Sequence, residues 1–456
     1  MPILPVSIIR PIRMFFIPER LFIFSFAFVI LSGAVLLSQP IAVHGPPLNF
    51  IDALFTATSA TCVTGLIVVD TATRFTVYGQ VVILFLIQLG GLGIMTFSVA
   101  FFYLMARRLS IGNKGLLEAS FSQMPMQGMR GLLRTIFTAT FIIEGIGAAI
   151  LSIRFVFDMP WQKALYFGVF HAVSAFCNAG FALFSDSLMS YQNDFVVTGT
   201  IALLIIFGGL GFVVLYELHQ KQSSFNMLSL NSRIVLSTTI GLLIFGFVFI
   251  LLFESGNTLS SLSWPQKILH AFFQSVTTRT AGFNSLDIGH LSNATLFIMI
   301  ILMYIGASPS STGGGIKTTT LATILAFTRS RFKNQEHTQV FNRSLSGSAV
   351  SKAVTIVIFS SFTVILFTTL LLFTELSGHS HQASRGLFME LLFEVTSAIA
   401  TVGLSTGVTP HLSPAGRVLI TLVMFIGRLG PLTTALAIGK KEPQKFKYVK
   451  EEILIG

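Results

Sequence analysis

Charge is what this 456-residue chain has least of. Asp, Glu, Lys and Arg make up only 10% of it, against roughly 25% in a soluble globular protein. With 53% hydrophobic residues and a mean hydropathy of +0.80, that scarcity excludes a soluble domain and implies an integral membrane protein. Cysteine is nearly absent. Cys62 and Cys177 are the only two, too few to make a zinc site alone, and they read as packed thiols rather than a disulfide or metal site. The nine histidines lie apart except His379 and His381, which read as solvated in an outer loop. No spaced acid or histidine set resembles a metalloenzyme site, so catalysis is not expected. The net charge of +11 comes from basic residues scattered over short loops. Anionic lipid or an acidic cytosolic partner accounts for it, without nucleic acid. Arg10, Arg13 and Arg20 precede the apolar run Leu21 to Ser38. No small-residue cleavage site follows, so the run reads as a retained span rather than a signal peptide.

Glycine is abundant, and it is patterned. Four stretches about a hundred residues apart read SATCVTGL, SAFCNAGF, VTTRTAGF and SAIATVGL. They align on Gly65, Gly180, Gly282 and Gly403, with Phe55, Phe170, Phe272 and Phe393 ten residues upstream. A second glycine follows within each downstream apolar segment, at Gly90, Gly208, Gly306 and Gly427. A spacing that returns four times marks a structural unit. Irregular backbone at membrane depth survives only inside protein or facing a water-filled cavity. Four such strips about one axis would present rings of carbonyl oxygens that replace the hydration shell of a monovalent cation. The competing account is close helix packing through small residues.

Long apolar segments flank every strip. The expected outer spans are 21–38, 132–153, 233–253 and 350–373, and their partners 77–105, 195–217, 292–327 and 415–439. Between them lie pieces too short to cross, at 50–60, 162–175, 266–277 and 386–398, suited to re-entrant pore helices. The chain therefore divides into a short N-terminus 1–20, repeats at 21–108, 131–221, 233–333 and 349–440, and a tail 441–456. The expected fold is an all-α polytopic membrane protein, with four pseudo-symmetric repeats around one ion pore and eight crossings. Most of the 29 basic residues fall on one side of this scheme, which makes that side, with both termini, cytoplasmic.

Two interruptions mark the inner spans. Gly306 to Thr320 reads GASPSSTGGGIKTTT, too rich in glycine and hydroxyls to hold a regular helix against lipid. Ile316 separates Gly315 from Lys317, so it is not a phosphate-binding loop, which needs Gly directly before Lys. The reading is a flexible gate below the filter, with a passive kink as the rival. Its candidate residues are Gly306, Ser308, Pro309, Ser310, Gly313, Gly314, Gly315 and Lys317. Arg428, in GRLGP (Gly427 to Pro431), joins them, because an intramembrane Arg faces a bundle interior or water. A buried acid such as Glu144 is the alternative partner for it.

These motifs resemble the Trk/Ktr/HKT superfamily of potassium transporters over nearly the whole chain. With only twenty residues ahead of the first span, the chain is most similar to the shorter bacterial Ktr membrane subunit. The resemblance places the filter at Cys62–Gly65, Cys177–Gly180, Arg279–Gly282 and Ala400–Gly403. Its ion-binding residues would be Val63, Thr64, Gly65, Asn178, Ala179, Gly180, Thr280, Ala281, Gly282, Thr401, Val402 and Gly403. Arg279 would turn its side chain behind the filter or outward. The resemblance further implies potassium (K+) uptake across a bacterial plasma membrane, sodium (Na+) as activator, a homodimer, and a cytosolic ring of regulatory subunits that alone holds ATP or ADP. Glycine at position 65 resembles the potassium-permeable members. A sodium-preferring or non-selective channel stands as the alternative, and a membrane enzyme using Glu144, Arg428 and Lys317 as the reading from another class.

Overall fold

The computed structural model describes residues 18–108, 126–221, 225–378, 380 and 382–430. The N-terminus before residue 18, most of the inner loop at 106–134, His379, His381, Pro431 and the tail lie outside them. The first repeat runs α1 (Pro18–Leu37), α2 (Phe50–Thr61) and α3 (Val77–Arg108). The second runs α4 (Met126–Phe155), α5 (Trp161–Phe176), α6 (Phe195–Leu210) and α7 (Phe212–Lys221). The third comprises α8 (Leu230–Glu254), α9 (Trp264–Thr277), α10 (Asn293–Tyr304) and α11 (Thr318–Phe332). A small antiparallel hairpin follows, β1 (Gln339–Val340) with β2 (Arg343–Ser344). The fourth repeat is α12 (Gly347–Leu376), α13 (Leu387–Ile399) and α14 (Pro414–Leu429).

Apolar side chains cover the long helices on all sides. Phe28, Ile153, Leu252 and Phe373 stand more than half exposed, as on membrane-spanning rather than water-soluble helices. By length and composition α8, α12 and the Arg134–Phe155 part of α4 can each cross a bilayer alone. α6 and α7 make a fourth span if counted together, and α1, α3 and α10 contain shorter apolar stretches.

The two long helices of a repeat are tied where the first ends and the last begins. Glu254, closing α8, accepts from the Ser292 amide (2.9 Å) and the Thr295 hydroxyl (2.5 Å) at the start of α10. Glu375, near the end of α12, accepts from the amide (3.0 Å) and hydroxyl (2.6 Å) of Ser413, which caps α14. In the second repeat an ion pair does this work, Arg154 to the α6 cap Asp194 at 2.5 Å. The two glutamate ties also give a partner to the amide at the start of the next helix, where the helix itself offers none.

Two expectations need correction. The segment 195–217 is not one rod but bends by 94° at Gly211, where φ is +92° and a side chain would strike the Pro309 carbonyl. The loop of the third repeat passes there, and its Ser310 carbonyl accepts from the Phe212 amide at 2.9 Å. Second, Phe272 is not the counterpart of the fully buried Phe55, Phe170 and Phe393. It is 39% exposed, and Phe273 is buried instead. α9 ends at Thr277, five residues before its glycine, whereas α2, α5 and α13 end four before theirs. One residue of slip rotates a helix face by about 100°.

Candidate ion pathway

The four short helices α2, α5, α9 and α13 end one turn short of their glycines, and the chain then alternates in hand. Two residues before each glycine a non-glycine residue takes positive φ: Val63 (56°), Asn178 (59°), Thr280 (73°) and Thr401 (51°). The glycines follow at 96°, 72°, 81° and 91°. Left-handed backbone is costly for residues with a β-carbon, so four repetitions of it mark an imposed conformation. Hydroxyls hold it. Ser59 and Ser397 accept from the amides of Gly65 and Gly403, each at 3.0 Å. Ser174 donates to the Phe181 carbonyl at 2.7 Å, and Thr277 to the Phe283 carbonyl at 2.5 Å.

The strips close a ring. A side chain at Gly65 would lie 2.5 Å from the Ala179 carbonyl oxygen, one at Gly180 2.9 Å from that of Ala281, and one at Gly282 2.6 Å from that of Val402. One at Gly403 would strike the Thr64 carbonyl, returning to the first strip. The same four glycines line the floor of one vestibule of about 250 Å³. Asp70 and Asp186 line its wall, and no basic side chain among the described residues pairs with either. Asp70 accepts from the Ser185 hydroxyl at 2.6 Å. Arg154 and Arg417 are engaged elsewhere, with Asp158, Asp194 and Asp52. Burial, then the nearby Asp158 carboxylate, pushes the Tyr191 phenol in the outer loop up to about 12, so it stays neutral and donates to Asp158 at 3.2 Å.

Below the ring the expected interruption is present and tightly bound, but shorter than the 306–320 read from sequence, because Thr318 to Thr320 open α11. Residues 305–317 are irregular between α10 and α11. Ser308 and Thr312 donate backbone amides to Gly209 (3.1 Å) and Gly208 (3.3 Å). The Thr312 hydroxyl donates to the Phe176 carbonyl at 3.2 Å. A side chain at Gly313 would strike Thr280, and one at Gly314 would strike Thr401, so the loop lies directly against two of the strips. Gly306 packs on Gly314 and Gly315 of the same loop. Three successive loop carbonyls are held by two cations. Arg428 donates to Thr312, and Lys317 to Gly313 (2.6 Å) and Gly314 (3.2 Å). Arg428 also donates to the Gly90 carbonyl of α3 at 2.5 Å, bridging the first, third and fourth repeats.

The alternative pairing of Arg428 with Glu144 is not what forms. Glu144 accepts from the Gln88 amide at 3.3 Å and from the Cys177 thiol at 3.8 Å. Both cysteines are buried free thiols. Arg279 turns backward, donating to the carbonyls of Thr239 (3.3 Å) and Gly306 (3.4 Å). With its amide turned to satisfy both ends, Asn178 donates to Ala175 (3.0 Å) and Ile205 (3.2 Å) and accepts from the Thr280 hydroxyl (3.3 Å). The buried hydroxyls of Thr64 and Thr401 meet no protein partner among the described residues.

The second glycines divide. Side chains at Gly90, Gly208 and Gly427 would strike the carbonyls of Thr61, Phe176 and Ile399, the last residues of α2, α5 and α13. Close packing, the rival account for the first glycines, is the account for these three. Gly306 departs from the set because its neighbour is the loop itself. Sequence reasoning missed the hydroxyl latches, although serine opens three of the four motifs and Thr277 follows Val276 in the other.

The family model described as TrkH, cation transport protein, matches residues 22–449. Ktr system potassium uptake protein B of Bacillus subtilis (strain 168) is 41% identical over 443 residues, 97% of this chain and 97% of that protein. Potassium/sodium uptake protein NtpJ of Enterococcus hirae is 37% identical over 444 residues, 96% and 97% of the two chains. The crystal structure of the potassium transporter TrkH from Vibrio parahaemolyticus superposes with a TM-score of 0.72 at 16% identity, over 92% of this chain and 84% of that one.

Proposed function

The chain belongs to the TrkH family of cation transport proteins, and we propose on that premise that it is the potassium-translocating membrane subunit of a Ktr-type uptake system. The family is one of transporters, not enzymes. The observation that carries the reading is the closed ring of Gly65, Gly180, Gly282 and Gly403 against the carbonyls of Thr64, Ala179, Ala281 and Val402. A dehydrated cation on the axis would exchange water for these oxygens. The unpartnered Thr64 and Thr401 hydroxyls fit the same use, since buried polar atoms are normally bonded. Repeats 21–108, 131–221, 233–333 and 349–440 each supply a quarter of the filter. Val63, Thr64, Asn178, Ala179, Thr280, Ala281, Thr401 and Val402 lead into its glycines.

The irregular segment within residues 306–320, up to Lys317 just before α11 begins, forms the gate, closed in this arrangement. Lys317 and Arg428 occupy its carbonyls and put positive charge where a cation must pass, in surroundings of low dielectric where charge acts strongly. Gly306, Ser308, Pro309, Ser310, Gly313, Gly314 and Gly315 let the loop lie flat beneath the filter and move. The finer reading places two such subunits as a homodimer in a bacterial plasma membrane, termini inward. A cytosolic ring carrying ATP or ADP controls the gate, with sodium as an activating ion.

Uptake of K+ into proteoliposomes, with and without the ring subunits and with sodium varied, tests this. Selective potassium uptake is expected. Sodium uptake at equal or greater rate would favour a sodium-preferring channel, and absence of both would remove the transport reading.

A further inference from the structure

Beyond each filter glycine the chain must turn outward into the vestibule, and something must hold that turn. In three repeats a titratable side chain on the short helix does so at one shared place, the residue three beyond the glycine. His171 lies nine residues before Gly180, and its Nε2 accepts from the Leu183 amide at 3.2 Å. Its Nδ1 meets the Phe167 carbonyl at 2.7 Å, so both ring nitrogens are engaged. Glu394 lies nine residues before Gly403 and accepts from the Thr406 amide at 3.2 Å. The same carboxyl accepts from the Ser405 hydroxyl and, through its other oxygen, from the Thr409 hydroxyl at 2.7 Å. The third repeat, slipped by one residue, reaches its Ser285 hydroxyl with His270 Nδ1 at 3.3 Å, from three residues earlier on the helix. All three side chains are fully buried. Among the described residues the first repeat shows no such strut. Thr56, at the matching position, donates to its own helix, and Asp70 is held across to Ser185 of the second repeat instead.

We propose that Glu394, His171 and His270 are positioning residues for ion selectivity, struts that fix the outer end of three filter strips. Glu394 carries the largest share, with three donors on one buried carboxyl. Ser405 and Gly403 both line the vestibule, so Glu394 holds the chain within two residues of the ring while not itself lining that vestibule. Without the strut the turn at 404–406 loses its only side-chain anchor from the helix behind it among the described residues. The Val402 and Gly403 backbone then gains freedom, and a looser carbonyl cage discriminates less between cations of different radius.

The inference rests on the potassium-filter reading, and the experiment separates the two. Purified protein in proteoliposomes is assayed for K+ and Na+ uptake in competition, comparing Glu394→Ala, Glu394→Gln and the unaltered chain at equal folded amount. Failure of the unaltered chain to prefer K+ would remove the filter reading itself. Given that preference, Glu394→Ala should cut the K+/Na+ uptake ratio about tenfold. Glu394→Gln, which keeps an acceptor oxygen, should stay within about threefold. Should Glu394→Ala not fold, Thr409→Val removes one donor alone and should lower the ratio two- to threefold. An unchanged ratio in folded Glu394→Ala, or in Thr409→Val where it is the variant measured, overturns the strut. Equal loss in Glu394→Ala and Glu394→Gln overturns it as well.

Discussion

Residue by residue, the ring glycines tolerate substitution least, because each has both positive φ and a carbonyl where its side chain would go, a combination shared by Gly211 at the bend. Gly65→Ser keeps the chain length but puts a β-carbon 2.5 Å from the Ala179 oxygen. The strip must shift, and the preference for K+ over Na+ should fall about tenfold, equivalent to about 1.4 kcal/mol. Competitive uptake of the two ions measures it, and an unchanged ratio would take Gly65 out of the filter. The second glycines answer to a different measurement. Gly427→Ala would drive its methyl into the Ile399 carbonyl, an overpacking that costs about 1–3 kcal/mol. The thermal midpoint in detergent should drop, whereas Gly199→Ala, which meets nothing, should leave it level or slightly higher. Arg428→Gln removes a charge held between Thr312 and Gly90. Basal ion flux through folded protein should rise severalfold.

At the scale of elements, the loop between α10 and α11 is stitched to its neighbours rather than slack. It bonds to α6 through Gly208 and Gly209, to α7 through Phe212, and to α14 through Arg428. Deleting Gly313 to Gly315 removes the part lying against Thr280 and Thr401 and should raise flux without the ring subunits. Combined with Arg428→Gln the effect should be less than additive on the barrier, since both act on one constriction. A folded deletion with flux at its original level would reduce the loop to a kink. This loop was legible because its composition breaks an apolar run. The bend at Gly211 was not, since FGGLGF continues the apolar pattern and the cause of the break is the passage of residues 309–310 from another repeat. The slip in α9 was hidden for a similar reason. Phe272 and Phe273 are adjacent and alike, and only the end of the helix decides which one faces inward. The struts His171 and Glu394 share a helix position but not a residue type, His270 reaches from three residues earlier, and Thr56 at the matching place bonds to its own helix, so no motif announces them.

Across the whole molecule, four unlike sequences are folded to one backbone shape, and the shape rather than the side chains repeats. That is why aligned glycines and flanking apolar runs sufficed to mark the four strips, while contacts such as Arg428 with Gly90 needed the structure. Arg329, Arg331 and Lys333 stand exposed at the end of α11, on the face proposed to be cytoplasmic. Reversing these three charges should weaken binding of the cytosolic ring, while reversing Lys163 and Lys267 on the outer side should not. Equal loss from both sets, read by co-purification, would contradict the orientation. The central claim, that the four-glycine ring binds the transported ion, is tested most directly by soaking the protein with thallium ion, a heavy potassium mimic, and locating it by anomalous scattering. The account predicts a peak on the axis within coordinating distance of the Thr64, Ala179, Ala281 and Val402 oxygens, lost when K+ is added in excess. Thallium bound elsewhere, with none in the ring at concentrations that support flux, would contradict it.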